Sequence, residues 1–155
     1  MSQHDALIEK FYHAFSSKDY KRMTECYHKE LVFQDPVFGP LNYEETCAMW
    51  KMLIKAGSDL KIYFDKVDSN AQQGSVNWIA VYSFSKTGRK VQNKISAQFR
   101  FKDGLIVSHH DHFDLYKWTR MAFGPIGYSL GWTPYFQNKL RTQARGNLDK
   151  FMTKS

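Results

Sequence analysis

Apolar positions along the chain follow two periods in turn. Leu7, Ile8, Phe11, Tyr12 and Phe15 recur every three or four residues, the spacing of a helix with one buried face. Ser2 and Asp5 have the form of a capping box in front of it. The stretch 16–19 breaks that helix, and Asp19 can cap a shorter one that turns Met23, Cys26 and Tyr27 inward. Leu31 to Asp35 reads as a short strand with Leu31, Phe33 and Asp35 on one face. Asn42 and Glu45 form a second capping box. The helix they open carries Met49, Trp50 and Leu53 and stops near Gly57.

From Leu60 the period becomes two. Leu60 to Val67 is a strand, and Ser75 to Ser85 places Val76, Trp78, Ala80, Tyr82 and Phe84 on one face. Thr87-Gly88 is a hairpin turn. Val91 to Phe101 alternates cleanly between apolar and polar residues, and Asp103-Gly104 is a tight-turn dipeptide. A last strand is expected from Leu105 to about Tyr116. The segment "FGPIGYSLGW" is apolar and glycine-rich without a clear period. Thr133-Pro134 then supplies a cap and a first helical position. Behind it, Phe136, Leu140, Ala144, Leu148 and Met152 form a stripe beside Lys and Arg. Helices, an antiparallel meander and a helical tail, in that order, predict an α+β fold with helices on one face of a curved sheet.

A chain of 155 residues is long enough to bury a core as one domain. Its charge is unevenly spread. Residues 116–155 hold seven Lys/Arg and one acid, whereas the first 115 hold 15 Lys/Arg and 14 acids. A near-neutral body argues against a nucleic-acid partner. The basic tail is expected to pack on the body; a membrane surface is its alternative partner. Cys26 and Cys47 have no metal-ligand spacing and make no disulfide framework. The start "MSQHDALIEKF" lacks the basic-then-apolar pattern of a secretory leader. No apolar run approaches the roughly 18 residues of a spanning helix. A cytoplasmic, reduced protein is the expectation.

Two clusters carry candidate chemistry. Asp35 stands in "FQDPVFGPL", between Phe33 and Val37-Phe38. It is either a turn residue satisfied by backbone N–H groups, or a carboxyl whose apolar neighbours raise its pKa and make it a base near neutral pH. In "SHHDHFD", alternation separates His110, His112 and Asp114 from Val107, His109, Asp111 and Phe113. The first set has the residue types of a divalent-metal site, but such alternation equally suits a solvated or subunit-facing sheet surface, and no metal or cofactor is assigned. The second, among apolar neighbours, is either a satisfied buried pair or an acid/base site. Trp50, Trp78 and Tyr82 are either core residues or the walls of a pocket for a ring-shaped apolar ligand.

The run "FYHAFSSKDYKRMTECYHKELVFQDPVFGPL", with the later "FRF-KDG" and "GLIVSHHDHFD", resembles the ketosteroid isomerase-like or nuclear transport factor 2-like superfamily, including its SnoaL-like members. The likeness extends over roughly residues 5 to 116. It implies a cystatin-like cone, a curved antiparallel sheet wrapped around N-terminal helices, commonly a homodimer through its sheet face. Residues 1–118 would form this domain, and 119–155 a helical extension outside it. By the same resemblance Asp35 takes the position of a general base that shuttles a proton on a small apolar molecule. The oxyanion donors of the isomerases fall at Phe11 and Ala97, neither of which donates. His109 and Asp111 are therefore expected to complete the catalytic set with Asp35. Phe11, Phe33, Trp50, Trp78, Tyr82, Ala97, Phe99 and Phe113 would line the ligand. The implied substrates are a cyclic ketone, an epoxide or a polyketide-like molecule. A non-catalytic module that binds an apolar ligand or docks a partner is the alternative on the same fold.

Overall fold

A computed structural model describes residues 4–154. The elements run α1 (Asp5–Ser16), α2 (Tyr20–Thr24), β1 (Tyr27–Gln34), α3 (Tyr43–Ala56), β2 (Lys61–Ser69), β3 (Gln73–Ser83), β4 (Lys90–Lys102), β5 (Leu105–His112), α4 (Leu115–Phe123), α5 (Pro125–Leu130) and α6 (Pro134–Lys154). The architecture is the expected α+β. One sheet, in the order β1-β5-β4-β3-β2, carries the helices. Neighbours from β2 to β5 are antiparallel, but β1 joins β5 in parallel, with Phe33 beside His109.

Several local signals act as their chemistry requires. Asn42 and Glu45 close a reciprocal capping box at 2.9 Å in each direction and so fix where α3 begins. Asp103 (φ 53°) and Gly104 (φ 75°) both take the left-handed region, as the tight turn between β4 and β5 demands. Thr133 Oγ1 accepts from Phe136 N at 3.2 Å and starts α6.

The structure differs from expectation in several places. The short helix α2 ends at Thr24, so Cys26 and Tyr27 are not helical. The Ile106 amide donates to Cys26 O at 2.9 Å and draws the chain into the sheet, so β1 starts at Tyr27 rather than Leu31. Strand β5 ends at His112, because Asp114 accepts from Lys117 N at 3.1 Å and caps α4. A bulge pairs Arg100 with Ser108 and Phe101 with Ile106, which puts Ile106 inside in place of Val107. The glycine-rich segment is helical: α4 stops at Gly124 (φ 65°) and α5 restarts at Pro125. On α3, Leu53 faces outward and Ile54 takes the buried position. The proposed Ser2 cap lies outside the described residues; Asp5 does occupy the first turn of α1.

The tail helix α6 packs along α3, with Leu148 fully buried and Ala144 and Met152 against the core. Arg145 pairs with Glu45, and Arg141 Nε donates to Pro36 O at 3.0 Å. Helix α5 is seated on α4 through Gly127 and Gly131. A Cβ on Gly127 would lie 2.0 Å from Thr119 O, and one on Gly131 2.0 Å from Thr119 Oγ1.

This seat is testable. Gly127→Ala forces a methyl onto backbone and is expected to cost about 2–3 kcal/mol of stability, read as a lower urea midpoint. Gly146→Ala meets nothing within 4 Å and is expected to be neutral or stabilising by up to about 1 kcal/mol. Equal midpoints for the two variants would contradict the close α4–α5 contact.

Candidate functional site

Strand alternation turns His109 and Asp111 into the interior and leaves His112 exposed. His109 has no exposed surface. Phe33 and Phe99 flank it from the two neighbouring strands, with ring centroids 5.0 and 4.7 Å away. Phe11 from α1 at 5.6 Å and Trp50 from α3 at 6.1 Å close the box.

A polar ring in such surroundings needs protein partners for both nitrogens. Trp50 Nε1 donates to Tyr27 Oη at 2.9 Å. Tyr27 in turn directs its hydroxyl proton to His109 Nδ1 at 2.8 Å. Nδ1 is thereby assigned as an acceptor, so Nε2 carries the proton and donates to Asp111 Oδ1 at 3.0 Å. Trp78 Nε1 donates to the same oxygen at 3.3 Å. The result is a buried line of hydrogen bonds, Trp50–Tyr27–His109–Asp111–Trp78. Ala97, also buried, is the cross-strand neighbour of Asp111.

Asp35 sits beside this line, in the turn that leaves β1. Phe33 and Leu41 exchange backbone hydrogen bonds at 2.9 and 2.7 Å and close the turn. Within it, Asp35 Oδ1 accepts from Val37 N at 2.8 Å and Phe38 N at 2.6 Å. No described residue donates to Oδ2. One oxygen is thus a turn acceptor, while the other remains free. Burial pushes the Asp35 carboxyl up to about 6, against the opposing Phe38 amide. The charge on Asp111 adds to the rise, and the Val37 amide and His109 oppose it.

Tyr12 also reaches the cluster. It is fully buried, its ring lies 5.7 Å from that of Trp78, and its hydroxyl has no hydrogen-bond partner among the described residues. Burial first, and then the charge of Asp111, hold that hydroxyl well above the ordinary tyrosine range.

The structure therefore brings Phe11, Phe33, Trp50 and Phe99 onto His109, and Trp78 and Ala97 onto Asp111. Tyr82 lies apart, under α4, where its Oη accepts from Trp118 Nε1 at 2.8 Å. Phe113 is partly buried at the edge of the core. His110 and His112 stack at 4.0 Å, but Asp114 is diverted to cap α4. Among the described residues no group of three or more His, Cys, Asp or Glu is placed to hold a metal ion. Two surface recesses, of about 250 and 580 Å³, lie beside α1–α2 and across β2–β4; Asp35, His109 and Asp111 line neither. No helix of the described residues is long and apolar enough to cross a membrane.

Sequence reasoning placed Tyr12 and Tyr27 on buried faces but missed their polar roles, Tyr27 because its segment read as helix. It also had no signal for Arg141, whose partner, a backbone carbonyl, lies 105 residues away. The aromatic character of 27 was visible, but its role depends on the parallel β1–β5 pairing.

Comparison with known proteins gives a consistent family. A model described as a SnoaL-like domain matches residues 8–109. No curated protein sequence matches. Among solved structures, an NTF2-like protein of unknown function from Burkholderia pseudomallei is similar at 18% identity and a TM-score of 0.70, covering 80% of this chain and 100% of that one. An LEH-like epoxide hydrolase from M. tuberculosis is 15% identical, with a TM-score of 0.64 and coverage of 83% and 91%. A putative polyketide cyclase from Streptomyces antibioticus is 20% identical, with a TM-score of 0.64 and coverage of 75% and 95%. At these identities the likeness establishes the fold.

The raised carboxyl predicts a pH signature. A folded-state pKa above the unfolded value means that the native state holds this proton more tightly. The contribution of Asp35 to stability is therefore full below about pH 4 and lost as pH rises through about 6. Carboxyl-carbon NMR of wild type against Asp35→Asn should show one resonance titrating near 6. The Asn variant, which keeps the Oδ1 acceptor, should gain stability over wild type across that interval. A midpoint at the ordinary carboxylate value would refute the desolvated setting.

Proposed function

The chain belongs to the SnoaL-like family on a nuclear transport factor 2-like fold, and from that premise we propose that it is an acid/base enzyme acting on a small apolar cyclic ketone, epoxide or polyketide-like molecule. The observation that carries this reading is Asp35: one oxygen is anchored by turn amides, the other is free, and burial raises its pKa to about 6. Such a carboxyl is ionised at neutral pH yet basic enough to take a proton from a carbon acid or from an attacking water. His109 and Asp111 form the polar cluster behind it, and Tyr12 Oη is the unpaired donor for a developing oxyanion. Phe11, Phe33, Trp50, Trp78, Ala97 and Phe99 supply the apolar wall, with Tyr82 and Phe113 further out. The reading includes a homodimer through the outer sheet face, where Tyr63 is 54% exposed, and a cytoplasmic setting that keeps Cys26 and Cys47 as thiols.

A second reading rests on a different observation. His109 has both nitrogens engaged, Asp111 Oδ1 accepts from His109 and Trp78, and the rings around the pair are buried. That arrangement suits a non-catalytic module in which the cluster is structural.

One experiment separates the two. Wild type, Asp35→Asn and Tyr12→Phe are assayed on a panel of cyclic ketones and epoxides, and ligand binding is followed by tryptophan fluorescence. The enzyme reading expects Asp35→Asn to lower turnover by about 10²- to 10⁴-fold with little change in binding. Tyr12→Phe is expected to lower it by about 10²- to 10³-fold. Wild-type activity should rise with pH through about 6, as Asp35 loses its proton. No turnover by any of the three, with equal ligand binding, would remove the enzyme and leave the binding module.

A further inference from the structure

Most of the apolar stripe of α6 is turned onto the body. Leu148 is fully buried, Ala144 and Met152 pack on the core, and Phe136 meets Phe123 edge-on at 5.2 Å. What the tail leaves uncovered is the corner between α5 and α6. There Ile126, Tyr128, Leu130, Trp132 and Tyr135 are 57, 59, 49, 62 and 77% exposed, within ten consecutive residues. Exposed apolar residues this concentrated mark an interaction surface more often than they mark chance.

The corner is a built feature. Gly127 and Gly131 allow α5 to seat directly on Thr119, which is fully buried. Tyr116 Oη donates to Tyr128 O at 2.9 Å, and Gln137 Nε2 to Gly131 O at 2.9 Å. Trp132 Nε1 donates to Ser129 O at 3.1 Å. These side chains are therefore presented outward by a fixed backbone rather than by a floppy tail.

Its charge points to one class of partner. No Asp or Glu occurs between Asp114 and Asp149. Arg141 and Arg145 are engaged with Pro36 and Glu45, but Lys117, Arg120 and Lys139 pair with no described carboxylate. The Arg120 guanidinium lies over the rings of Tyr116 and Tyr128, at 4.7 and 5.5 Å. A second copy meeting this patch about a two-fold axis would bring like charges together with no acid between them. A nucleic acid would stack on Trp132 and Tyr135 but would gain nothing from Ile126 and Leu130. Acyl chains take aliphatic residues, Trp and Tyr prefer the headgroup boundary, and the cations suit anionic headgroups.

We propose that the α5–α6 corner is an interfacial docking surface for an anionic phospholipid bilayer. Ile126, Leu130 and Trp132 enter the boundary region, Tyr128 and Tyr135 lie at the headgroup level, and Lys117, Arg120 and Lys139 face the headgroup charge. The inference does not depend on what Asp35 does.

The full chain is tested against vesicles of phosphatidylcholine alone and of phosphatidylcholine mixed with phosphatidylglycerol. Trp132 is the one exposed tryptophan among the described residues, so its emission should shift to the blue on the mixed vesicles. Binding should weaken as salt rises. Ile126→Ser with Trp132→Ser should lower the partition coefficient by about tenfold or more. Lys117→Gln with Lys139→Gln should lower it several-fold on the mixed vesicles alone. All four positions are exposed, and unchanged urea midpoints would confirm that folding is intact. Equal binding to both vesicle types, or none to either, would overturn the proposal. It would also fall if no vesicle binds while Ile126→Ser and Trp132→Ser dissociate a dimer in sedimentation, or abolish binding to single-stranded RNA.

Discussion

The hydrogen-bond line through His109 is the constraint on which the interior depends. An imidazole with no exposed surface is tolerated only when each nitrogen has a partner, and leaving one unmet costs about 1–3 kcal/mol. Meeting that demand ties four elements together. Strand β1 must run parallel to β5 so that Tyr27 reaches Nδ1. Helix α3 must begin at a fixed residue so that Trp50 reaches Tyr27, and the Asn42–Glu45 capping box sets that start. Strand β3 must be in register for Trp78 to reach Asp111. The apolar rings exclude water and make the polar line necessary; the polar line then selects one packing of the rings.

Asp35 obeys a different balance. Its turn amides favour the charged form, burial and Asp111 disfavour it, and burial wins. The balance requires the turn to stay in place, and part of its support comes from far along the chain. Arg141 of α6 donates to Pro36 O, and Arg145 anchors the same helix to Glu45 at the start of α3. A tail outside the matched residues 8–109 thus positions the carboxyl that the matched part supplies.

Much of this was legible because it is local. The capping box, the Asp103-Gly104 turn and the alternation that sends His109 and Asp111 inward each depend on a few adjacent residues. What was illegible depends on distance. Nothing adjacent to Tyr27 tells a helix end from a strand start; the Ile106 amide decides it. The bulge that replaces Val107 with Ile106 is a property of the strand pair. The segment 124–131 showed no period because two of its three glycines, Gly127 and Gly131, serve a contact with Thr119, which no helical hydrophobic pattern encodes. Asp35 was undecidable between turn residue and desolvated carboxyl for a related reason: its two oxygens do different things.

The loss of the expected oxyanion donor at Phe11 also looks different once the helix is in place. Successive residues of a helix point about 100° apart, so Phe11 and Tyr12 address different sectors of the interior. Phe11 lies against His109 and completes its apolar box. Tyr12 turns toward Trp78 and Phe64, within the field of Asp111. A tyrosine at 11 would place a hydroxyl beside a histidine whose nitrogens are already matched. At 12 the hydroxyl stays unmatched, at an energetic cost that the surrounding packing must offset. The unmatched hydroxyl, in the field of the Asp111 carboxylate, is the feature on which the proposed oxyanion role of Tyr12 rests.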